Sequence, residues 1–253
     1  MIENLKKDCS KRFSSHGYPT RKEENWKFTS SRNLVKFENN VSQKPKIDHL
    51  DIDNNTILFV NGILDQRTLK NFKHNDKLKV VDLSILKEKS TLKFSENFIK
   101  DSVFNLGVMD FKEGFYFEFD KNLVLDKPIK LVNYYNANKD FSRITSFNIF
   151  HVQSGSEISF IENDINDGES SFNLKLNKFI SEKNSVLKFG KFYQGKGDNH
   201  LLSYNYFTLK KDSVLKIDAL NKESIFNKEF IEVDLEETGC DVNISILNLG
   251  KKN

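Results

Sequence analysis

The sequence predicts a mainly β protein: a right-handed parallel β-helix with coils of about 27–29 residues, preceded by a small mixed helical N-terminal region. Two observations carry this. The 253 residues include only two Ala, Ala137 and Ala219, against 29 Asn. Ala is the strongest helix former, whereas Asn, Asp and Ser compete for backbone hydrogen bonds and favour turns, so a helical bundle is excluded. The second observation is a repeat. Ser156-Glu157-Ile158-Ser159-Phe160, Ser185-Val186-Leu187-Lys188-Phe189, Ser213-Val214-Leu215-Lys216-Ile217 and Cys240-Asp241-Val242-Asn243-Ile244 align, their first residues 29, 28 and 27 positions apart. In each, the third and fifth residues are apolar and the fourth polar, the pattern of a strand with one buried face.

A second strand precedes each repeat, with apolar pairs Phe147 and Ile149, Leu174 and Leu176, Tyr204 and Tyr206, Ile231 and Val233. An antiparallel sandwich, the competing arrangement, has no reason to keep one period through strand, turn, strand and return. A coil that rises one strand spacing per circuit does. The right-handed expectation follows from the handedness of parallel strand connections.

The organisation expected is an N-terminal mixed α/β region over 1–104 and a β-helix over 105–250. Ile2, Leu5, Cys9 and Phe13 lie at helical spacing, so residues 1 to 14 form an amphipathic helix that ends at Gly17-Tyr18-Pro19. Thr20 then stands as a helix cap with Glu23 at the reciprocal position, and Trp26 and Phe28 as apolar anchors. Residues 39 to 55 are polar and loop-like. Thr56 to Val60 is a strand meeting the Asn61-Gly62 turn, Leu78 to Leu83 another, and Leu83 to Ile99 one or two short helices. From about Phe104 the period becomes two, with clear strands at Gly114 to Phe119 and Ile129 to Tyr134.

Lys and Arg number 39 against 36 Asp and Glu, and only five of the 39 are Arg. Such balance removes the concentrated basic surface that a nucleic-acid binder needs. The Lys, Asn, Phe and Ile excess is what A/T-rich codons encode, so part of the composition reflects a genome rather than a function. The chain has no run of 18 apolar residues and starts without a secretory core segment, which leads to the expectation of a cytoplasmic protein. Two cysteines, Cys9 and Cys240, are too few for a disulfide framework or an autonomous cysteine-ligated metal site.

Candidate chemistry is sparse. Gly190 to Gly197 approaches a phosphate loop, but its last position lacks the hydroxyl that would ligate magnesium and no helix follows, so it is expected to be a turn between coils. Glu162 to Glu169 resembles a calcium loop, yet Ile165 and Leu174 fall where oxygen ligands are required, which leaves a solvated acidic corner. His16, His49, His74, His151 and His200 show no paired metal-site spacing and are expected to be structural. Cys240 fills the slot of Ser156, Ser185 and Ser213 and is expected to be a small corner residue, with a thiolate ligand the alternative; Cys9 is a packing residue. With no nucleophile elbow and no Ser/His/Asp arrangement, no catalytic residue and no metal ligand is assigned.

Gly17-Tyr18-Pro19-Thr20-Arg21-Lys22-Glu23-Glu24-Asn25-Trp26-Lys27-Phe28-Thr29 resembles the N-terminal signature of the SufB/SufD family of iron–sulfur cluster assembly proteins, and SufD more closely, with Phe28 replacing the usual Tyr. The resemblance continues collinearly through Ile57 to Gly62, Phe104-Asn105-Leu106 with Gly114, Lys127 to Leu131, and Arg143 to Glu162. It implies a right-handed β-helix acting as a non-enzymatic scaffold that pairs with a SufB-like subunit and the SufC ATPase. No cofactor would be bound by this chain alone, and an iron–sulfur cluster would be held only in complex with SufB. Family members continue well over a hundred residues past the point matching Leu247 to Gly250, so the resemblance implies a truncated member without the His-containing and SufC-contacting segments, and no site residue carries over. The alternative from another class is a carbohydrate-active or other interaction β-helix. Such enzymes use basic residues and carboxylates on an exposed sheet face, and the repeat region here has one Arg, Arg143.

Overall fold

The computed structural model of the protein describes residues 1–39, 47, 50, 52–87, 90–136, 141–168, 170–194, 198–222 and 225–250. In chain order the elements are α1 (Ile2–His16), β1 (Thr56–Val60), β2 (Ile63–Leu64), α2 (Gln66–Lys70), β3 (Leu78–Asp82), α3 (Glu96–Lys100), α4 (Ser102–Asp110), β4 (Gly114–Phe119), β5 (Ile129–Tyr135), β6 (Ser142–Val152), β7 (Glu157–Asn166), β8 (Ser170–Ser181), β9 (Val186–Gln194), β10 (Asp198–Leu209), β11 (Val214–Lys222), β12 (Phe226–Leu235) and β13 (Asp241–Leu249). Strands take 48% of the chain and wind into a β-solenoid of about four turns. Alternate strands join two parallel sheets, ordered β13-β11-β9-β7-β5-β1-β2 and β12-β10-β8-β6-β4-β3. Among the described residues, only the pairings of β2 with β1 and of β3 with β4 are antiparallel. No described helix is long and apolar enough to cross a membrane.

The expected repeat is the register of the first sheet. Ile158, Leu187, Leu215 and Val242 form one row across β7, β9, β11 and β13, and Phe160, Phe189, Ile217 and Ile244 the next. These rows face the solenoid interior, where they meet a column of rings from the second sheet. Phe117, Phe150, Phe179 and Phe207 occupy successive strands in register. Their centroids lie 5.0, 5.0 and 4.7 Å apart and their planes within 16° of parallel, so the strand spacing itself sets the stacking distance.

A repeated corner joins the two strands of each coil. Gly155, Asn184, Asp212 and Gly239 all have positive φ, between 56° and 79°, and each precedes the small residue of the repeat. Ser185 Oγ donates to Glu182 O at 2.5 Å, Ser213 Oγ to Lys210 O at 2.6 Å and Cys240 Sγ to Glu237 O at 3.2 Å. Cys240 is therefore the corner residue expected. A Cβ on Gly239 would stand 2.0 Å from Asp212 Oδ1, so the left-handed slot there also needs the missing side chain.

The second sheet is buried on both faces, because the N-terminal region covers its outer side. Rings and aliphatic chains of Phe147, Ile149, Leu174, Leu176, Tyr204 and Tyr206 join one cluster with Ile2, Cys9, Trp26, Phe98 and Phe104. On α4, a Cβ at Gly107 would lie 3.0 Å from Leu176 Cδ1, which shows how closely that helix sits on the sheet. Trp26 Nε1 donates to Asp101 Oδ2 and Tyr204 OH to Asp101 Oδ1, both at 2.8 Å, while the same carboxylate caps α4 through Val103 N–H. Arg143 of β6 donates to Asp110, to Tyr18 OH and to Phe37 O, tying three parts of the N-terminal region to the first long coil.

Several expectations change. The pairs Phe147/Ile149, Leu174/Leu176 and Tyr204/Tyr206 point outward to the helices, whereas Ile231 and Val233 face the interior; the true row is Phe147, Leu176, Tyr204 and Phe230. With both faces apolar, alternation no longer tells one face from the other. Phe104 lies within α4, so the period of two begins at Gly114, not at 104. Glu23 Oε1 accepts from Thr20 N–H as the capping pattern requires, but the helix that follows is a single 3₁₀ turn, Glu24–Trp26. Trp26 is a buried anchor while Phe28 is 92% exposed, because a turn so short presents one side chain inward. Residues 39 to 55 fall mostly outside the described residues.

Replacing Phe179→Ala opens the middle of the ring column and is expected to lower unfolding free energy by about 3–5 kcal/mol. Urea unfolding followed by far-UV circular dichroism measures it; a loss below about 1 kcal/mol would contradict the stacked-column account.

Candidate functional site

The solenoid interior is divided. Beyond the Phe column, the same inward-facing parity continues into polar residues. Glu162 and Asp164 follow Ile158 and Phe160 on β7, Lys191 and Tyr193 follow Leu187 and Phe189 on β9, and Lys175 and Asn177 precede Phe179 on β8. Parallel stacking turns them into rows, with Lys175 in register with Ser203 and Ser203 with Glu229.

Lys175 Nζ lies 2.7 Å from Glu162 Oε2 and from Asp164 Oδ2. Asn133 Nδ2 donates to Glu162 Oε1 and Asp164 Oδ1 at 3.0 Å each, and Tyr135 OH donates to Asp164 Oδ1 at 3.3 Å. One coil further on, Lys191 Nζ donates to Ser203 Oγ at 3.0 Å and Glu229 Oε1 at 2.9 Å. Asn205 Nδ2 reaches the same Glu229 oxygen at 2.8 Å, and Asn177 Nδ2 donates to Asn205 Oδ1 at 3.1 Å. The first group of bonds spans β5, β7 and β8 and the second β8, β9, β10 and β12, and the Lys191 charge acts on Glu162 and Asp164 between them.

Burial pushes the Glu162 carboxyl up, but Lys175 and Lys191 outweigh it and hold the group below its usual value. Asp164 is pushed the other way, by burial and by the neighbouring Glu162 charge, so it is the carboxyl that takes a proton more readily. Burial disfavours the Lys175 ammonium, yet Asp164 and Glu162 raise its pKa overall. The site can therefore hold charge and order oxygen acceptors, and its ion pairs make it costly to leave incomplete.

Sequence reasoning missed this site. Glu162 and Asp164, expected at a solvated corner, are buried on β7. The expected turn at Gly190 to Gly197 is strand through Gln194, with Lys191 buried against Glu229; Gly195, Lys196 and Gly197 lie outside the described residues. Parity along each strand was the available signal: every member shares odd or even numbering with the Leu, Ile and Phe residues of its own strand that face inward.

The histidines stay apart. His151 lies on β6, its ring nitrogens 2.5 Å from Tyr116 OH and 3.0 Å from Glu182 Oε1. His200 lies two strands away on β10, packed between Phe37 and Phe226. Its partner row is Phe172 and Phe226, not the row of His151. His16 Nδ1 contacts Arg12 O at the exposed end of α1, His74 packs on Phe72, and His49 lies outside the described residues. Cys9 is buried under α1, and burial pushes its thiol up to about 11. No group of three or more His, Cys, Asp or Glu among the described residues is placed to hold a metal ion.

Replacing Lys175→Met leaves two buried carboxylates with one partner fewer and is expected to cost about 3–5 kcal/mol at pH 7. Without the Lys175 ammonium, burial is expected to raise both carboxyls above their unfolded values, so the variant should recover stability as the solution is acidified through their folded values toward the unfolded ones. In the wild type, the raised Lys175 pKa supplies stability that is present at neutral pH and lost only in strongly alkaline solution. Urea midpoints across pH measure both; a variant with a wild-type pH profile would contradict the network.

Comparison of the chain with protein-family models and with curated proteins returned no match.

Proposed function

We propose that this protein is a non-catalytic scaffold subunit of iron–sulfur cluster assembly, SufD-like, working with a SufB-like subunit and a SufC-like ATPase. One observation carries the reading: the collinear motifs quoted from the sequence, above all Gly17 to Thr29, accompany a β-solenoid with a helical N-terminal region, the architecture the resemblance implies. The motif's residues have definite work in this fold. Tyr18 holds Arg143, Pro19 O accepts from Ser31 Oγ, and Trp26 binds Asp101.

The buried chemistry favours a scaffold over an enzyme. The charged groups of the interior are spent on one another, and the Tyr116–His151–Glu182 chain is mostly buried on a sheet face under the helices. A partner strand would add at the edge strands β12 and β13, where Leu235, Ile244, Ile246, Leu247 and Leu249 are exposed. An iron–sulfur cluster, in this reading, is cargo held only together with the SufB-like subunit.

Co-expression with the SufB-like and SufC-like proteins of the same source, followed by pull-down and size measurement, tests the proposal. Stoichiometric retention of the SufB-like subunit is expected, weakened about tenfold or more by Ile246→Lys, with unchanged circular dichroism. Absence of retention, together with fully active iron–sulfur enzymes in a strain lacking the gene, would overturn it.

A further inference from the structure

The near-balance of charge over the whole chain hides a local excess. Residues 11–36 carry seven Lys and Arg against two Glu, whereas the remaining residues carry 32 against 34. The fold then separates the signs. Glu23 and Glu24 line one hollow with Trp26, Asn97 and Asp101, while Arg21, Lys22 and Arg32 line another, of about 550 Å³, that no carboxylate borders among the described residues.

Two turns build the basic hollow, and one hydrogen bond fastens them together. Ser31 Oγ donates to Pro19 O at 2.5 Å, which ties the turn bearing Arg21 and Lys22 to the turn bearing Arg32. Arg21 follows Pro19 by two residues and Arg32 follows Ser31 by one, so these long side chains border the same space from opposite sides. Each turn is also fixed within itself. Thr20 N–H donates to Glu23 Oε1 at 2.7 Å, Lys22 N–H to Thr20 Oγ1 at 3.3 Å and Arg32 N–H to Ser30 Oγ at 3.4 Å. Tyr18 OH accepts from Arg143 at 3.1 Å and so anchors the first turn to β6.

The lining presents donors that nothing in the chain uses. Among the described residues, the side chains of Arg21, Lys22 and Arg32 are exposed and make neither a hydrogen bond nor an ion pair. Their neighbours in the segment are occupied: Lys36 pairs with Asp198 at 3.0 Å, and Lys27 lies over the Phe28 ring at 5.5 Å. Thr20 Oγ1 and Ser30 Oγ each accept from a backbone N–H, which leaves their hydroxyl hydrogens for a further acceptor. Three like charges around one hollow repel, and a bound anion removes that repulsion.

We propose that the hollow bordered by Arg21, Lys22 and Arg32 binds a phosphate group, carried by a small molecule or by a lipid headgroup. A guanidinium gives an anion two parallel N–H donors. A phosphate, with three free oxygens and up to two charges, engages both arginines and the lysine together, whereas a single carboxylate is satisfied by one guanidinium. The volume falls in the range of small-molecule sites. The site stands independently of the cluster-assembly reading, because it uses only residues of this chain and needs no partner protein.

Titration calorimetry of the full chain with pyrophosphate and with citrate, and flotation with vesicles of phosphatidylcholine alone or doped with phosphatidylinositol phosphates, test this. Saturable pyrophosphate binding is expected, tighter than citrate, weakened by added sodium chloride, and weaker by about tenfold or more in Arg21→Ala and in Arg32→Ala. Both residues lie on the exposed rim, so circular dichroism and the unfolding midpoint should not change. Lys216→Ala, on the wet face of β11, should bind as the wild type does. Flotation with the doped vesicles that is lost in Arg32→Ala assigns the phosphate to a lipid headgroup; pyrophosphate binding without flotation assigns it to a soluble ligand. Absence of both overturns the proposal, as does binding that survives Arg21→Ala and Arg32→Ala unchanged. Citrate bound as tightly as pyrophosphate would overturn the phosphate assignment, and so would a single-stranded oligonucleotide retained in salt that abolishes pyrophosphate binding, which would mark a nucleic-acid surface instead.

Discussion

The parallel ladder between successive coils is the constraint on which the rest of this protein depends. From β6 onward each strand of a coil lies in register with its counterpart 26 to 29 residues later, so one side chain per coil becomes a row and each row has a single environment. A slip of one residue would exchange inward and outward sets over a whole strand. The Phe column shows the benefit, since four rings stack at the distance that the strands already impose. The corners show how the register is held: a left-handed residue followed by Ser or Cys recurs where the chain passes from β6 to β7, β8 to β9, β10 to β11 and β12 to β13.

The same repetition explains why charge is tolerated inside. A lone buried lysine would be expensive, but stacking brings Lys175 between two carboxylates from a neighbouring strand and Lys191 onto Glu229 from the next coil but one across the interior. Asn side chains extend the pattern by bonding from coil to coil, as Asn177 does to Asn205 and Asn221 to Asn248. The interior thus has an apolar half that supplies burial and a polar half that fixes geometry. The N-terminal region completes the architecture from outside, through Asp101 and Arg143, and turns one sheet into a layer buried on both sides.

Much of this was legible in the residues. The repeat starting at Ser156, Ser185, Ser213 and Cys240 gave the coil length because that sheet has one interior face and one wet face, so alternation is clean. The other sheet was harder: Leu174, Leu176, Tyr204 and Tyr206 are apolar because helices cover them, and no local pattern separates such residues from the interior set. The charged interior was misread for a different reason. Glu162 and Asp164 beside Asn and Gly resemble a solvent-facing corner by composition, and only their parity with Phe160, combined with partners 11 to 31 positions away, places them inside. Short helices such as Ser102–Asp110 were obscured by Val, Phe and Leu that suit strands equally well, until Asp101 caps them.

The account rests on which lysines face inward, and amine-reactive labelling of the folded protein read by mass spectrometry measures that directly. Lys175 and Lys191 should remain unmodified while Lys188 and Lys216, in the outward positions of β9 and β11, react readily; all four should react after denaturation. Labelling of Lys191 in the folded chain as fast as Lys188 would contradict the register, and with it the buried network and everything built upon it.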